Sequence, residues 1–81
     1  MVYIFEFFEA LPDGKRILIA AQKHRAKSAE AADDRARTII KNVVLDGKIA
    51  NLCVIRDQMG GLIREVAIDA ARALRSNAQV A

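Results

Sequence analysis

The sequence predicts an α+β domain of ββαββ order: a four-stranded antiparallel sheet with one main helix packed on one face. Two observations carry this. The hydrophobic pattern changes period twice, from strand-like over residues 1–22 to helical over 28–45 and back to strand-like over 48–68. Each strand-like stretch is also split by turn residues, Leu11-Pro12-Asp13-Gly14 in the first and Met59-Gly60-Gly61 in the second.

In the first strand Tyr3, Phe5 and Phe7 alternate with Val2, Ile4 and Phe8, and only Glu6 interrupts. The second, over 16–21, alternates Ile17, Ile19 and Ala21 with Leu18 and Ala20. Apolar residues on both faces imply burial on both faces. Pro12, Asp13 and Gly14 each favour chain reversal, Pro12 through its fixed φ and Gly14 through its access to positive φ.

Ser28 suits the N-cap of the helix, where its hydroxyl can accept a first-turn amide. Ala29, Ala32, Ala36, Ile39, Ile40 and Val43 recur at three- and four-residue steps and define the apolar stripe. Glu30, Asp34, Arg37 and Lys41 lie opposite, Asp33 and Arg37 form an i,i+4 pair, and Gly47 is expected to close the helix in the left-handed C′ role. Strands over 49–56 and 62–68 follow. The segment 69–75 reads as a short helix capped by Asp69, with Leu74 its one large apolar anchor, and the single domain is expected over 1–76 with a frayed tail over 77–81.

At 81 residues the chain is one domain with a modest core. Its 53% apolar and 28% charged content, with mean hydropathy of +0.11, is that of a globular protein. Thirteen basic against ten acidic residues give a net charge of +3, a mild bias without a polybasic tail. The start lacks the basic region of a signal peptide and no apolar run approaches the length of a bilayer span, so a cytoplasmic, non-membrane protein is the expectation.

Candidate chemistry is sparse. His24 is the one histidine and Cys53 the one cysteine, which excludes an internal disulfide and a multi-cysteine zinc site. His24 is expected to be exposed near the helix start, and Cys53, within Leu52-Cys53-Val54-Ile55, to be a small buried apolar residue. Asp57 and Glu65 flank the second hairpin, at a solvated end rather than in a cleft. Gly60-Gly61 lacks the surrounding pattern of a phosphate loop. The expectation is a non-enzymatic protein without cofactor or metal.

Two binding modes remain. One helix covers one face of a sheet, and the tail offers little for the other, so a homodimer through the sheet is expected, with Tyr3, Phe5, Phe7, Ile17 and Ile19 as its face. The alternative is a nucleic-acid or phosphate binder. Lys15, Arg16, Lys23, Arg25 and Lys27 fall within 15–27 with no acid among them. Cations just ahead of a helix start oppose the partial positive charge there, a placement that makes sense if an anion docks.

The run Lys23-His24-Arg25-Ala26-Lys27-Ser28-Ala29-Glu30-Ala31-Ala32 resembles the Lys-Lys-x-Ala-Lys-x-x-Ala-Ala start of the last helix in double-stranded RNA-binding domains. The resemblance implies phosphate contacts at Lys23 and Lys27, with His24 in place of one family lysine. It covers about ten residues, and the family's first helix and third strand have no counterpart here. A wider stretch, Ala29 to Val44 with Val54-Ile55-Arg56-Asp57-Gln58-Met59-Gly60-Gly61-Leu62-Ile63-Arg64-Glu65-Val66, is similar to a group of short bacterial proteins of ββαββ order. Those chains have an aromatic first strand, an Ala/Arg-rich helix and a closing strand–Asp-x-x-Gly–strand hairpin. That resemblance implies a shared architecture and no particular activity.

Overall fold

The computed structural model describes residues 1–68; the short helix, its Asp69 cap and the tail expected over 69–81 lie outside the described residues. Strands β1 (Val2–Ala10) and β2 (Arg16–Arg25) form the first hairpin, and helix α1 (Ala29–Ile39) follows, continued by a 3₁₀ turn (Ile40–Asn42). Two short strands, β3 (Val44–Leu45) and β4 (Lys48–Ile49), pair with each other, and β5 (Leu52–Asp57) and β6 (Leu62–Ala67) form the last hairpin. The main sheet is antiparallel with order β2-β1-β5-β6. Among the described residues the fold is thus α+β, with a four-stranded sheet and one α-helix, plus a two-stranded ladder that the sequence pattern did not indicate.

Three boundaries differ from expectation, each for a local reason. β2 runs four residues past Ala21 because Gln22–Arg25 find partners in Val2–Phe5. The helix ends at Ile39 rather than near 45, because Asn42, Val43 and Val44 are poor helix formers. Gly47 does not close it. Asp46 (φ 52°) and Gly47 (φ 78°) instead form the central pair of a two-residue hairpin turn between Leu45 and Lys48. The expected strand over 49–56 is accordingly divided between β4 and β5.

The two main hairpins share one loop design. Gly14 N donates to Leu11 O (3.0 Å) and Leu11 N to Lys15 O (2.8 Å); Gly60 N donates to Asp57 O (3.0 Å) and Asp57 N to Gly61 O (2.9 Å). Gly14 and Gly60 sit at φ of 90° and 87°, where a side chain would be strained. Asp57 Oδ1 accepts the amides of Met59 (2.9 Å) and Gly61 (2.8 Å), so this carboxylate is occupied in building its turn.

The core lies between the sheet and α1. Tyr3, Phe5 and Phe7 of β1, Cys53 and Ile55 of β5, and Val66 of β6 pack beneath Ala32 and Ala36, with Phe5 and Phe7 edge to face at 6.2 Å. Two alanines one turn apart let the helix backbone lie close to the sheet. The helix is set over β5 and β6, fixed there by Asp33, whose carboxylate receives Arg37 Nε (2.6 Å) and Arg64 Nη1 of β6 (3.3 Å). β2 is left at the margin of the helix-covered face, and its Ile17, Ile19, Gln22 and His24 are only half-buried.

Candidate anion-binding recess

Of the face expected for a dimer, the aromatic part is covered by the helix, and Ile17 and Ile19 are half-buried at its margin. Tyr3, Phe5 and Phe7 are 3%, 0% and 0% exposed beneath the helix, with Ile19 packed against the same core. The register in β1 places Val2, Ile4, Glu6 and Phe8 on the opposite face, with Arg16, Leu18, Lys23 and Arg25 of β2 and Leu52, Val54 and Arg56 of β5. On that face Leu52 and Val54 are buried, and Leu18 (54% exposed) and Leu62 (57%) are not.

The five cations expected to act together also separate. Lys15 and Arg16 stand at the hairpin loop and Arg25 at the far end of the ten-residue β2, about 30 Å away at the rise of an extended strand. Lys15 lies 3.9 Å from Asp13, and Arg16 lies 3.3 Å from Glu65. Lys23 and Arg25 are not in a loop ahead of the helix but in β2 itself, opposite Ile4 and Val2. Only Lys27 remains in the connection to Ser28.

At this end of β2 the chain turns into α1. Ser28 Oγ accepts the Ala31 amide (3.1 Å), and Ser28 O accepts the Ala32 amide (3.0 Å). The Ala29 and Glu30 amides are left to solvent or a ligand. Between the end of the hairpin and the first turns of the helix lies a recess of about 540 Å³, lined by Met1, Arg25, Ala26, Lys27, Ala31 and Arg35. Ala31 and Arg35 are one helical turn apart, so they share the face of α1 that borders the recess. No acid is among the lining residues.

Arg35 is the member the sequence reading missed. It stands eight residues after Lys27, outside the basic run, and only the helix register brings it back. The pairing of the arginines sets it apart. Arg16, Arg37, Arg56 and Arg64 each pair with a carboxylate, Arg56 with Glu6 at 2.7 Å. Among the described residues, the arginines without such a partner are Arg25 and Arg35, and both line the recess.

His24 adjoins this cluster from the strand. It is half-buried in β2 rather than exposed at a helix start, and its ring lies over Phe5 with centroids 4.7 Å apart and planes tilted by 30°. Nε2 lies 2.8 Å from Gln22 Oε1. Burial, and then the Arg35 charge, hold its pKa below the ordinary histidine value. Cys53 is buried in the core and its thiol is pushed up to about 12, by burial first and by the Asp33 and Glu6 charges after it, so it is not a nucleophile at neutral pH. Asp57 and Glu65 do not form a carboxylate pair: Asp57 serves its turn and Glu65 meets Arg16.

No family model matches the chain, and no curated protein or solved structure matches it. Among the described residues, no helix is long and apolar enough to cross a membrane.

Proposed function

We propose that the protein is a non-enzymatic binding module that holds a phosphate-bearing polyanion, nucleic acid in the first place, in the recess between β2 and α1. The observation that carries this reading is the segregation of arginines: among the described residues Arg16, Arg37, Arg56 and Arg64 are paired with carboxylates, whereas Arg25 and Arg35 are not, and both line one recess that no acid lines. Like charges gathered without neutralisation repel one another, and a ligand phosphate would relieve that repulsion. Arg guanidinium groups suit the fork geometry of phosphate oxygens, and the dipole of the adjoining helix start has the same sign. Lys27 adds a third charge at the rim. This reading keeps part of what the RNA-binding-domain resemblance implies, Lys27, and replaces Lys23 with Arg25 and Arg35.

Fluorescence anisotropy with short labelled single strands and duplexes of RNA and DNA at low salt tests it. Wild type is expected to bind, and the triple variant Arg25→Ala/Lys27→Ala/Arg35→Ala to lose at least about tenfold in affinity. Equal binding by the triple variant overturns the reading.

A second reading, self-association, rests on a different observation: Leu18, Leu62 and Ile63 are 54%, 57% and 37% exposed on the sheet face away from the helix. An apolar face of this kind fits a second copy of the chain. Light scattering is then expected to give a concentration-dependent dimer that Leu62→Glu abolishes. A monomer at all concentrations contradicts it.

A further inference from the structure

Among the described residues β2 is an edge of the main sheet, and its outer rim is open in a defined phase. Ala26 N donates to Met1 O (3.0 Å) and Met1 N to Ala26 O (3.2 Å), so these two residues form a hydrogen-bonded pair of the ladder. In an antiparallel pair such positions alternate with ones whose polar groups point away. The register is regular from Val2–Arg25 as far as Phe7–Ala20. Tyr3–His24, Phe5–Gln22 and Phe7–Ala20 are therefore bonded pairs, and the N–H and C=O groups of Ala21, Lys23 and Arg25 face outward.

The same three residues are exposed, with their side chains on the face away from the helix. Lys23 and Arg25 have no carboxylate partner among the described residues. The rim thus offers alternating donors and acceptors, flanked by two cations two residues apart. A nucleic-acid backbone presents phosphate acceptors only and leaves the outward carbonyls unmatched; a peptide backbone matches both. A second β2 strand matches the backbone but not the charge, because a two-fold pairing centred on Lys23 sets that ammonium against its own copy.

We propose that the Ala21–Arg25 rim of β2 takes an extended acidic peptide as an added strand, main chain to main chain, with carboxylates at alternate positions facing Lys23 and Arg25. This is strand addition to a sheet edge, in which the backbone supplies affinity and alternate side chains supply selectivity. It does not depend on Lys27 or Arg35: its contacts are the outward main-chain groups of Ala21, Lys23 and Arg25 and the Lys23 and Arg25 side chains, so Arg25 alone is shared with the recess.

The test uses the full chain, ¹⁵N-labelled, titrated with a synthetic peptide alternating glutamate and valine over about ten residues, the length of the edge. The expected result is slowed exchange and shifted resonances at the Ala21, Lys23 and Arg25 amides. Ala21→Pro removes an outward N–H without breaking the β1–β2 ladder, a placement that edge strands tolerate, and is expected to weaken binding about tenfold. Lys23→Glu/Arg25→Glu changes only exposed side chains, and is expected to lose that peptide and gain one alternating lysine and valine. Undiminished affinity in a folded Ala21→Pro variant overturns the proposal. So do perturbations confined to Lys27 and Arg35, which would indicate capture by charge in the recess. Edge protection in the absence of peptide, together with a dimer mass, would assign the rim to a second copy and overturn it as well.

Discussion

Arg16 Nη2 and Glu65 Oε1 meet at 3.3 Å although their strands, β2 and β6, are the two edges of the main sheet. Three interstrand spacings separate the edges, about 14 Å in a flat sheet. The contact therefore reports a sheet that coils toward the face away from the helix, helped by irregularities at Phe7/Phe8 and Ile55/Arg56. Leu52 and Val54, on β5 between those edges, are 5% and 2% exposed. Curvature of that sense tips β2 away from the helix, and the recess lies at the margin it opens.

The bridge itself should contribute little. Both side chains are more than two-fifths exposed, so the charges are well solvated and screened. A double-mutant cycle with Arg16→Ala and Glu65→Ala is expected to give a coupling of about 0–1 kcal/mol in denaturant unfolding, falling further with salt. A coupling well above that range would mean that the bridge holds the curvature rather than reporting it.

Asp33 should matter more. It is the single carboxylate shared by Arg37 and Arg64, and it joins the helix to β6. Asp33→Ala is expected to destabilise by about 1–2 kcal/mol, since charge-assisted hydrogen bonds are lost but both arginines remain partly solvated. Burial pushes the Asp33 carboxyl up, while the hydrogen bonds and charges of Arg37 and Arg64 outweigh that and leave its pKa below the ordinary value. The sign follows: its contribution is full above the unfolded carboxylate pKa of about 4 and is lost as pH falls through the lower folded value. Urea midpoints measured from pH 7 to 2 are expected to show an acid loss that is smaller in Asp33→Asn.

His24 is expected to titrate below the usual histidine pKa of about 6.5 by NMR, since its ring is partly desolvated against Phe5 and faces Arg35. The neutral ring is the form the fold prefers, so its contribution is full above that pKa and declines as pH drops below it. Arg35→Ala is expected to raise the His24 pKa, and so is an anion bound beside Arg35. A titration unchanged by Arg35→Ala would place the guanidinium away from the ring.

Cys53 should resist modification. With its thiol pushed up to about 12 in the core, reaction with a thiol reagent at neutral pH is expected only at the rate of unfolding, and quickly in denaturant. Rapid labelling of the folded chain would contradict the buried position.

The sequence made the two main hairpins, the helix and its Ser28 cap legible because each depends on local chemistry: turn residues, alternation, a capping hydroxyl. The central place of β1 was not legible, since residues opposite one another in β1 and β5, such as Phe5 and Ile55, lie some fifty positions apart. The helix packed over that sheet is what buries Tyr3, Phe5 and Phe7 of the expected dimer face. The recess was half visible. Arg25 and Lys27 stood out in a basic run, but Lys15 and Arg16 were grouped with them only by sequence distance, and Arg35 enters by helix register alone. Gly47 misled for a simple reason: positive φ is required both at a helix C′ position and in a two-residue hairpin turn, and the residue does not say which.

The central claim is that Arg25, Lys27 and Arg35 form one phosphate-binding unit. Its most direct test is the salt dependence of binding to a short labelled duplex, wild type against Arg35→Ala. About three phosphate contacts predict a log–log slope near −3 for wild type, reduced in magnitude by about one in Arg35→Ala. A slope near zero, or one that Arg35→Ala leaves unchanged, would contradict the account.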